Sequence, residues 1–485
     1  MDMNDQLLKN RTLYHFYQLC QIPHGSHDEE RLSTHLLHWA QELGLEAYQD
    51  ESMNLIIKKP ASPDRQAAAP VMLQAHLDMV CDKEPGVEFD FSQDPIPWKV
   101  EGDWISSAAG TTLGADCGIG VALILAMLEA DDYSHPPIEA ILTTREETDM
   151  GGAYHLDFTK LSGRRMINLD VSPDQKLLAG SCGGAAIELD MPIDRVADEP
   201  DGECFRITVS GLKGGHSGAD IAKGRNNALL LLGRLLRMLA AELKDLGLVD
   251  MQSGNSRLAI PREATMLVRL PEGMSRPLQD AMKAFEQSVA LECSSIPDLC
   301  LNCTAVERQE RRSLERASLD RLCDLLCLVP NGIYAMNALP LGTVESSCNL
   351  GILRLLENQT HLVTEMRGSY RSTRQCIIDQ YETLARLLGG TISMHSSYHS
   401  WLYQPDSSLR ERVLEVYRQR EQKEMNVEVA HAGNEIGIFY EAIEGLDAVA
   451  MGPTRLDYHS PKERLSISSS IRFEEFLKQV LEQLQ

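Results

Sequence analysis

Several segments of this chain deliver an acid or an imidazole at the end of an apolar run. His76 and Asp78 follow the run 71–75, Glu146 with Glu147 follows 138–144, and Asp170 closes 165–169. Asp116 lies in the small-residue turn 111–120, where a carboxylate can be held near backbone amides and aimed into a cleft. A histidine in the Gly/Pro-containing loop 452–461, His459, adds a second imidazole. Imidazole and carboxylate together are the donors that zinc and similar divalent ions take. Asp116 is read as the carboxylate that bridges two such ions. Singly, each signal has a plain structural explanation: a histidine at a strand end, or adjacent acids in a solvated loop. Their convergence is the informative observation.

The elements that must position these groups can be read from the same runs. Residues two apart in extended backbone point to one side, so His76 and Asp78 can face one site. Open α/β sheets bind ligands beyond the carboxyl ends of their strands, and the acids fall at such ends. Successive ones are about 24 to 40 residues apart, the length of one βαβ crossover. An apolar helix is expected over 121–128, and amphipathic helices over about 5–20 and 27–43, the second opened by a capping box at Ser26 and Glu29 and stopped at Gly44.

Between about residues 184 and 397 the texture changes. Strand-like stretches at 204–210, 264–270 and 362–367 alternate with helices at 227–243, 278–290 and 314–328. The pattern predicts an α+β domain inserted into an α/β one. The domain expectation is therefore 1–183 and 398–485 for the catalytic domain and 184–397 for the insert. Its glycine-rich stretch 213–218, which contains His216, does not have the spacing of a phosphate loop.

Composition narrows the partners. Acidic residues outnumber basic ones 71 to 46, a formal charge of −25, which argues against nucleic acid or an anionic membrane surface. The first five residues carry neither a basic nor an apolar leader, and the apolar run 228–241 is broken by Gly233, Arg234 and Arg237. A cytoplasmic protein is expected, and the 12 scattered cysteines are expected to be reduced thiols. Cys300 and Cys303 form a lone CxxC without a partner pair and receive no metal or redox role.

Taken in order, the segments 22–24, 73–80, 110–116, 146–147, 211–218, 259–263, 431–433 and 459–461 resemble the two-zinc exopeptidases of the aminoacylase and carboxypeptidase type, and within them the bacterial aminoacyl-histidine dipeptidases. The resemblance implies a zinc-exopeptidase-like catalytic domain with a mostly parallel central sheet, plus a lid domain through which two copies pair as a homodimer. It implies one zinc on His76 and Asp170, another on Glu147 and His459, and Asp116 bridging, with manganese or cobalt as possible substitutes. It further implies that Asp78 orients His76 and that Glu146 is the general base. His216 would stabilise the oxyanion, Arg367 would hold the substrate carboxylate, and Glu435 would receive the free amino group. The substrate is then a small unblocked peptide, Xaa-His dipeptides among the candidates.

Two positions depart from the family pattern. Cys117 follows the bridging aspartate where Asn or Asp, joined by a cis peptide, is usual. Leu258 replaces an amide in the segment 257–263. Loss of that amide leaves open an amidohydrolase or deacylase acting on N-acylated amino acids. A divergent relative that binds metal without catalysis is the other alternative, and retention of Glu146 speaks against it.

Overall fold

The structure, a computed structural model, describes residues 6–197, 201–290, 292 and 299–484. The chain divides into two compact units. One comprises Met1–Ser181, Trp401–Val429 and Asn434–Gln485; the other comprises Cys182–Ser400 and Ala430–Gly433.

The first unit is built on an eight-stranded sheet, ordered Glu46–Gln49, Leu55–Lys59, Ile138–Thr143, Val71–His76, Arg165–Asn168, Asp447–Ala450, Lys176–Ser181 and Asn426–Ala430. Four neighbouring strands, from Ile138–Thr143 to Asp447–Ala450, run parallel. Every residue of Val71–His76 and Ile138–Thr143 is buried, as parallel strands covered on both faces require. That is why they appear in the sequence as unbroken apolar runs. The helix Ala115–Glu129 is buried on all sides up to Leu128 and packs against Arg11–Leu19 and Ile467–Gln483. One hydrophobic core thus joins both ends of the chain to the sheet.

The expected capping box does not form. The second N-terminal helix spans Glu30–Glu42 without a side-chain cap. Ser26 Oγ instead donates to Asp78 Oδ2 at 2.7 Å, and Glu29 Oε1 accepts the Arg145 amide at 3.0 Å. Both polar groups have been recruited by distant strand ends, a competition that local sequence does not display.

The second unit contains a nine-stranded antiparallel sheet. Its long central hairpin pairs Val344–Leu355 with Gln359–Gly368, which in turn pairs with Gly183–Pro192. Helices Ala228–Glu242, Ser275–Val289, Arg316–Leu328 and Arg371–Leu388 contribute to a separate apolar core. Asn227 caps the first, its side-chain oxygen accepting the Leu229 amide at 2.9 Å.

In the first unit the turn that presents Asp116 is held from the other end of the chain. Glu463 Oε2 accepts the Leu113 and Gly114 amides at 2.7 and 2.9 Å, and its Oε1 accepts the Asp116 amide at 3.0 Å. Gly114 has φ +74°, and a Cβ there would lie 2.8 Å from Met79 Sδ, so the turn needs glycine. Glu463→Ala would leave three buried amides unpaired. Urea denaturation should show a loss of about 3–9 kcal/mol of stability, at roughly 1–3 kcal/mol per orphaned group. A loss under about 1 kcal/mol would mean that other contacts hold the turn.

Candidate metal centre

The parallel strands bring His76, Glu146, Glu147 and Asp170 to one edge of the first unit's sheet, and the helix Ala115–Glu129 brings Asp116 to the same place. His76 is the last residue of its strand. Its Nδ1–H donates to the Asp78 carbonyl at 2.9 Å, which leaves Nε2 as the lone-pair nitrogen. That Nε2 lies 3.6 Å from Asp116 Oδ1 and 3.7 Å from Asp170 Oδ2. On the other oxygen of Asp116, His459 Nε2 approaches Oδ2 at 3.2 Å and Glu147 Oε1 at 2.9 Å. Asp116 therefore faces two donor sets, one through each oxygen.

Three buried atoms, His76 Nε2, Asp116 Oδ1 and Glu147 Oε1, have no hydrogen-bond partner among the described residues. His76, Asp116 and Glu147 each offer a ligand atom within 4.8 Å of the others. Glu147 Oε1 and Asp116 Oδ1 have cationic neighbours, but not along a hydrogen-bonding direction. Buried polar atoms left this way are costly unless a cation takes their lone pairs. The donor set, imidazole nitrogen and carboxylate oxygen, fits divalent metal.

The electrostatics of the protein alone point the same way. Burial, then the charge of Asp116, pushes Asp170 up to about 7. Burial raises Glu146 well above the usual carboxylate range despite His76, with Asp170, Glu435 and Glu147 adding to it. His459 rises to about 10 through its close contacts with the carboxylates of Asp116 and Glu147. So many acids in one buried place hold protons in the absence of another positive charge.

The Asp78 carboxylate also reaches the next strand end. Its Oδ1 accepts the Glu146 amide at 2.9 Å, and its Oδ2 accepts the Glu147 amide at 3.2 Å. Although burial opposes ionisation, His76, Ser26 and the Glu146 amide hold Asp78 at about 2. The carboxylate thus fixes the turn that carries both glutamates, a turn entered through Arg145 at φ +57°. Glu435 is also in this unit. Its Oε2 accepts Gln74 Nε2 at 2.7 Å and Thr143 Oγ1 at 2.8 Å, while Oε1 has no partner among the described residues. Burial raises its pKa to about 7.

In this unit two residues escaped the sequence reading. Glu463 resembles an ordinary loop acid until its three amide bonds are seen. Arg455 lies in the same loop as His459, yet its buried guanidinium contacts both Asp116 and Asp170. The Asp116–Cys117 peptide is cis, and the Cys117 thiol donates to the Leu169 carbonyl at 3.6 Å.

His216 and Arg367 belong to the second unit. The His216 Nδ1 accepts the Gly218 and Ala219 amides, both at 3.1 Å, so the ring proton sits on Nε2. Arg367 is buried on the Gln359–Gly368 strand, donating to Tyr398 Oη at 2.8 Å and Ser217 Oγ at 3.2 Å. Gly218 packs beside both side chains and beside the His431 carbonyl. Tyr398, Ser217 and His431 were not anticipated; their partners are scattered over about 200 residues of chain. Leu258 is partly exposed, its carbonyl accepting the Ser217 amide at 2.8 Å.

Residues 72–483 match the model of peptidase family M20/M25/M40. The cytosol non-specific dipeptidase of Escherichia coli K12 is 34% identical over 470 residues, 97% of this chain and 96% of that protein. The aminoacylhistidine dipeptidase of Vibrio alginolyticus superposes with a TM-score of 0.90 at 34% identity, covering 98% of this chain and 96% of its own. Aminopeptidase PepT of Bacillus cereus, at 13% identity and a TM-score of 0.57, shares the fold, with 98% of each chain covered. With the family model matched over residues 72–483 and a relative 34% identical along 97% of the chain, this protein is a member of peptidase family M20/M25/M40.

Proposed function

We propose that this protein is a metal-dependent dipeptidase that hydrolyses unblocked dipeptides, Xaa-His dipeptides among them. The observation that carries the reading is the trio of buried, unpartnered ligand atoms on His76, Asp116 and Glu147. The dipeptidase names of the two relatives that match along nearly their whole length support it. Two zinc ions are assigned to the centre, one on His76 and Asp170, one on Glu147 and His459, with Asp116 between them. Manganese or cobalt are substitutes that the same donors accept. When bound, such a pair acidifies water and polarises the scissile carbonyl.

The chain's own residues do the remainder. Glu146 takes the proton of the attacking water and returns it to the leaving amine. Asp78, through the two amide bonds described above, keeps Glu146 and Glu147 in register. Glu435 offers its unpartnered Oε1 to the substrate ammonium, while Gln74 and Thr143 hold Oε2. His216, with its proton on Nε2, donates to the developing oxyanion. Arg367 binds the substrate carboxylate, to which a guanidinium can donate twice. In this reading the insert, assigned to 184–397, is a lid and pairing domain, and the working form is a homodimer. The assigned compartment is the cytoplasm, where the eleven described cysteines, none in a disulfide, remain reduced. No described helix is long and apolar enough to cross a membrane.

Zinc-loaded protein should cleave Ala-His, Gly-Leu and β-Ala-His in a chelator-sensitive assay and leave N-acetylated amino acids intact. Cleavage confined to the acetylated compounds would replace this reading with deacylation and implicate Leu258. Glu146→Gln should lower kcat by roughly 10²–10⁴-fold, the usual contribution of a positioned base, with metal content unchanged. Arg367→Lys keeps the charge but loses the fork, so KM should rise about 10-fold or more while kcat falls less. Equal KM values for variant and parent would remove Arg367 from the carboxylate site.

A further inference from the structure

Arg455 is only 4% exposed, and its guanidinium lies on one side of the centre. Its Nη2 is 2.9 Å from Asp116 Oδ1 and bonds to Asp170 Oδ1. These are the two carboxylates of the His76 donor set. The backbone fixes the side chain there: the Arg455 amide donates to Ser172 Oγ at 2.9 Å, and that hydroxyl donates back to the Arg455 carbonyl at 2.8 Å. Residues Arg455 and Leu456 pair with Leu465 and Arg464, and the guanidinium lies 5.8 Å from the Tyr458 ring centroid. Arg455 is thus a part built into the fold.

The opposite half of the centre has no such neighbour among the described contacts. There Asp116 Oδ2 and Glu147 Oε1 face the His459 imidazole. The two metal positions therefore differ in charge. Around His76, the carboxylates of Asp116 and Asp170 share a permanent positive charge, since arginine does not deprotonate in proteins. Cys117, whose thiol hydrogen is given to the Leu169 carbonyl, adds no negative charge to that half. Around His459, Glu147 has no such cation beside it, while Asp116, common to both positions, weighs on each alike. Yet the His76 position is not erased: Asp170 Oδ2, the oxygen that Arg455 leaves alone, still faces His76 Nε2 at 3.7 Å.

We propose that Arg455 is a resident counter-ion that makes the two metal positions unequal. The Asp116–Glu147–His459 position holds its ion tightly. The His76–Asp116–Asp170 position, repelled by the guanidinium, holds its ion weakly and exchanges it with the medium. This rests on the two-metal reading above and goes beyond it by ranking the positions. A single charge within a few ångströms of a divalent ion, in a partly desolvated site, separates the dissociation constants by at least about 100-fold.

The test is metal binding to the full-length protein, stripped with chelator and titrated with zinc or cobalt by calorimetry, with bound metal counted by elemental analysis. The parent should bind one ion tightly and a second at least about 100-fold more weakly. Arg455→Met should bring the two constants to within about 10-fold of each other, and Arg455→Lys, which keeps the charge, should retain a clear gap. Two equally tight ions in the parent would overturn the inequality while leaving the metallopeptidase reading intact. An Arg455→Met protein that binds like the parent would show that the inequality has another source, and would also overturn the proposal. No metal bound at any concentration would overturn both readings together. The parent isotherm stands without either variant, so a substitution that fails to fold leaves the proposal open to refutation.

Discussion

The structure of the first unit depends on one electrostatic constraint: several carboxylates are buried together at the carboxyl edge of a parallel sheet. Asp116, Glu146, Glu147, Asp170 and Glu435 converge with the two imidazoles of His76 and His459. Without a cation, burial and mutual repulsion push some of them toward the protonated form, as at Asp170 and Glu435. The fold therefore has to supply positive charge, backbone amides, or a place for metal. It supplies all three. Arg455 provides fixed charge, the amides of Glu146 and Glu147 stabilise the ionised Asp78, and the unpartnered ligand atoms leave room for ions.

Holding such a cluster requires support from distant segments. Glu463 ties the Asp116 turn, Ser26 and the glutamate turn tie Asp78, and Asn168 passes the chain on to Asp170 by accepting its amide at 3.0 Å. Asn168 in turn donates to Gln74, which donates to Glu435. The bonds of Asp78, Gln74 and Asn168 tie together the ends of three parallel strands, Val71–His76, Ile138–Thr143 and Arg165–Asn168. A network of this kind fixes ligand directions more firmly than the ligands could alone, because each side chain has its second atom committed elsewhere.

The second unit follows the same logic with different parts. His216 has its Nδ1 occupied by two amides, which settles the tautomer, and Arg367 has two of its nitrogens bound to hydroxyls. The nearby His431 is held uncharged, at about 3, by burial and by the charge of Arg367. His431 therefore adds no positive charge beside Arg367. For the proposed reaction this matters, since a carboxylate ligand needs one firm cation rather than several competing ones.

The sequence by itself determined the parts that depend on local pattern. Buried parallel strands must be apolar throughout, so the runs before His76, Glu146 and Asp170 were legible, and polar residues at their ends stood out as site candidates. The α+β insert was legible from its changed rhythm. Tertiary structure decided what depends on long-range pairing. Ser26 and Glu29 have the letters of a capping box, but stronger partners, Asp78 and the Arg145 amide, come from strands more than 50 residues away. Glu463 and Arg455 look like ordinary loop charges, because nothing in their neighbours says that they reach back to residues 113–116 and 170. A charged side chain's partner is set by where the fold places it, and that placement is what the strand pairing of the sheet, rather than any short motif, controls.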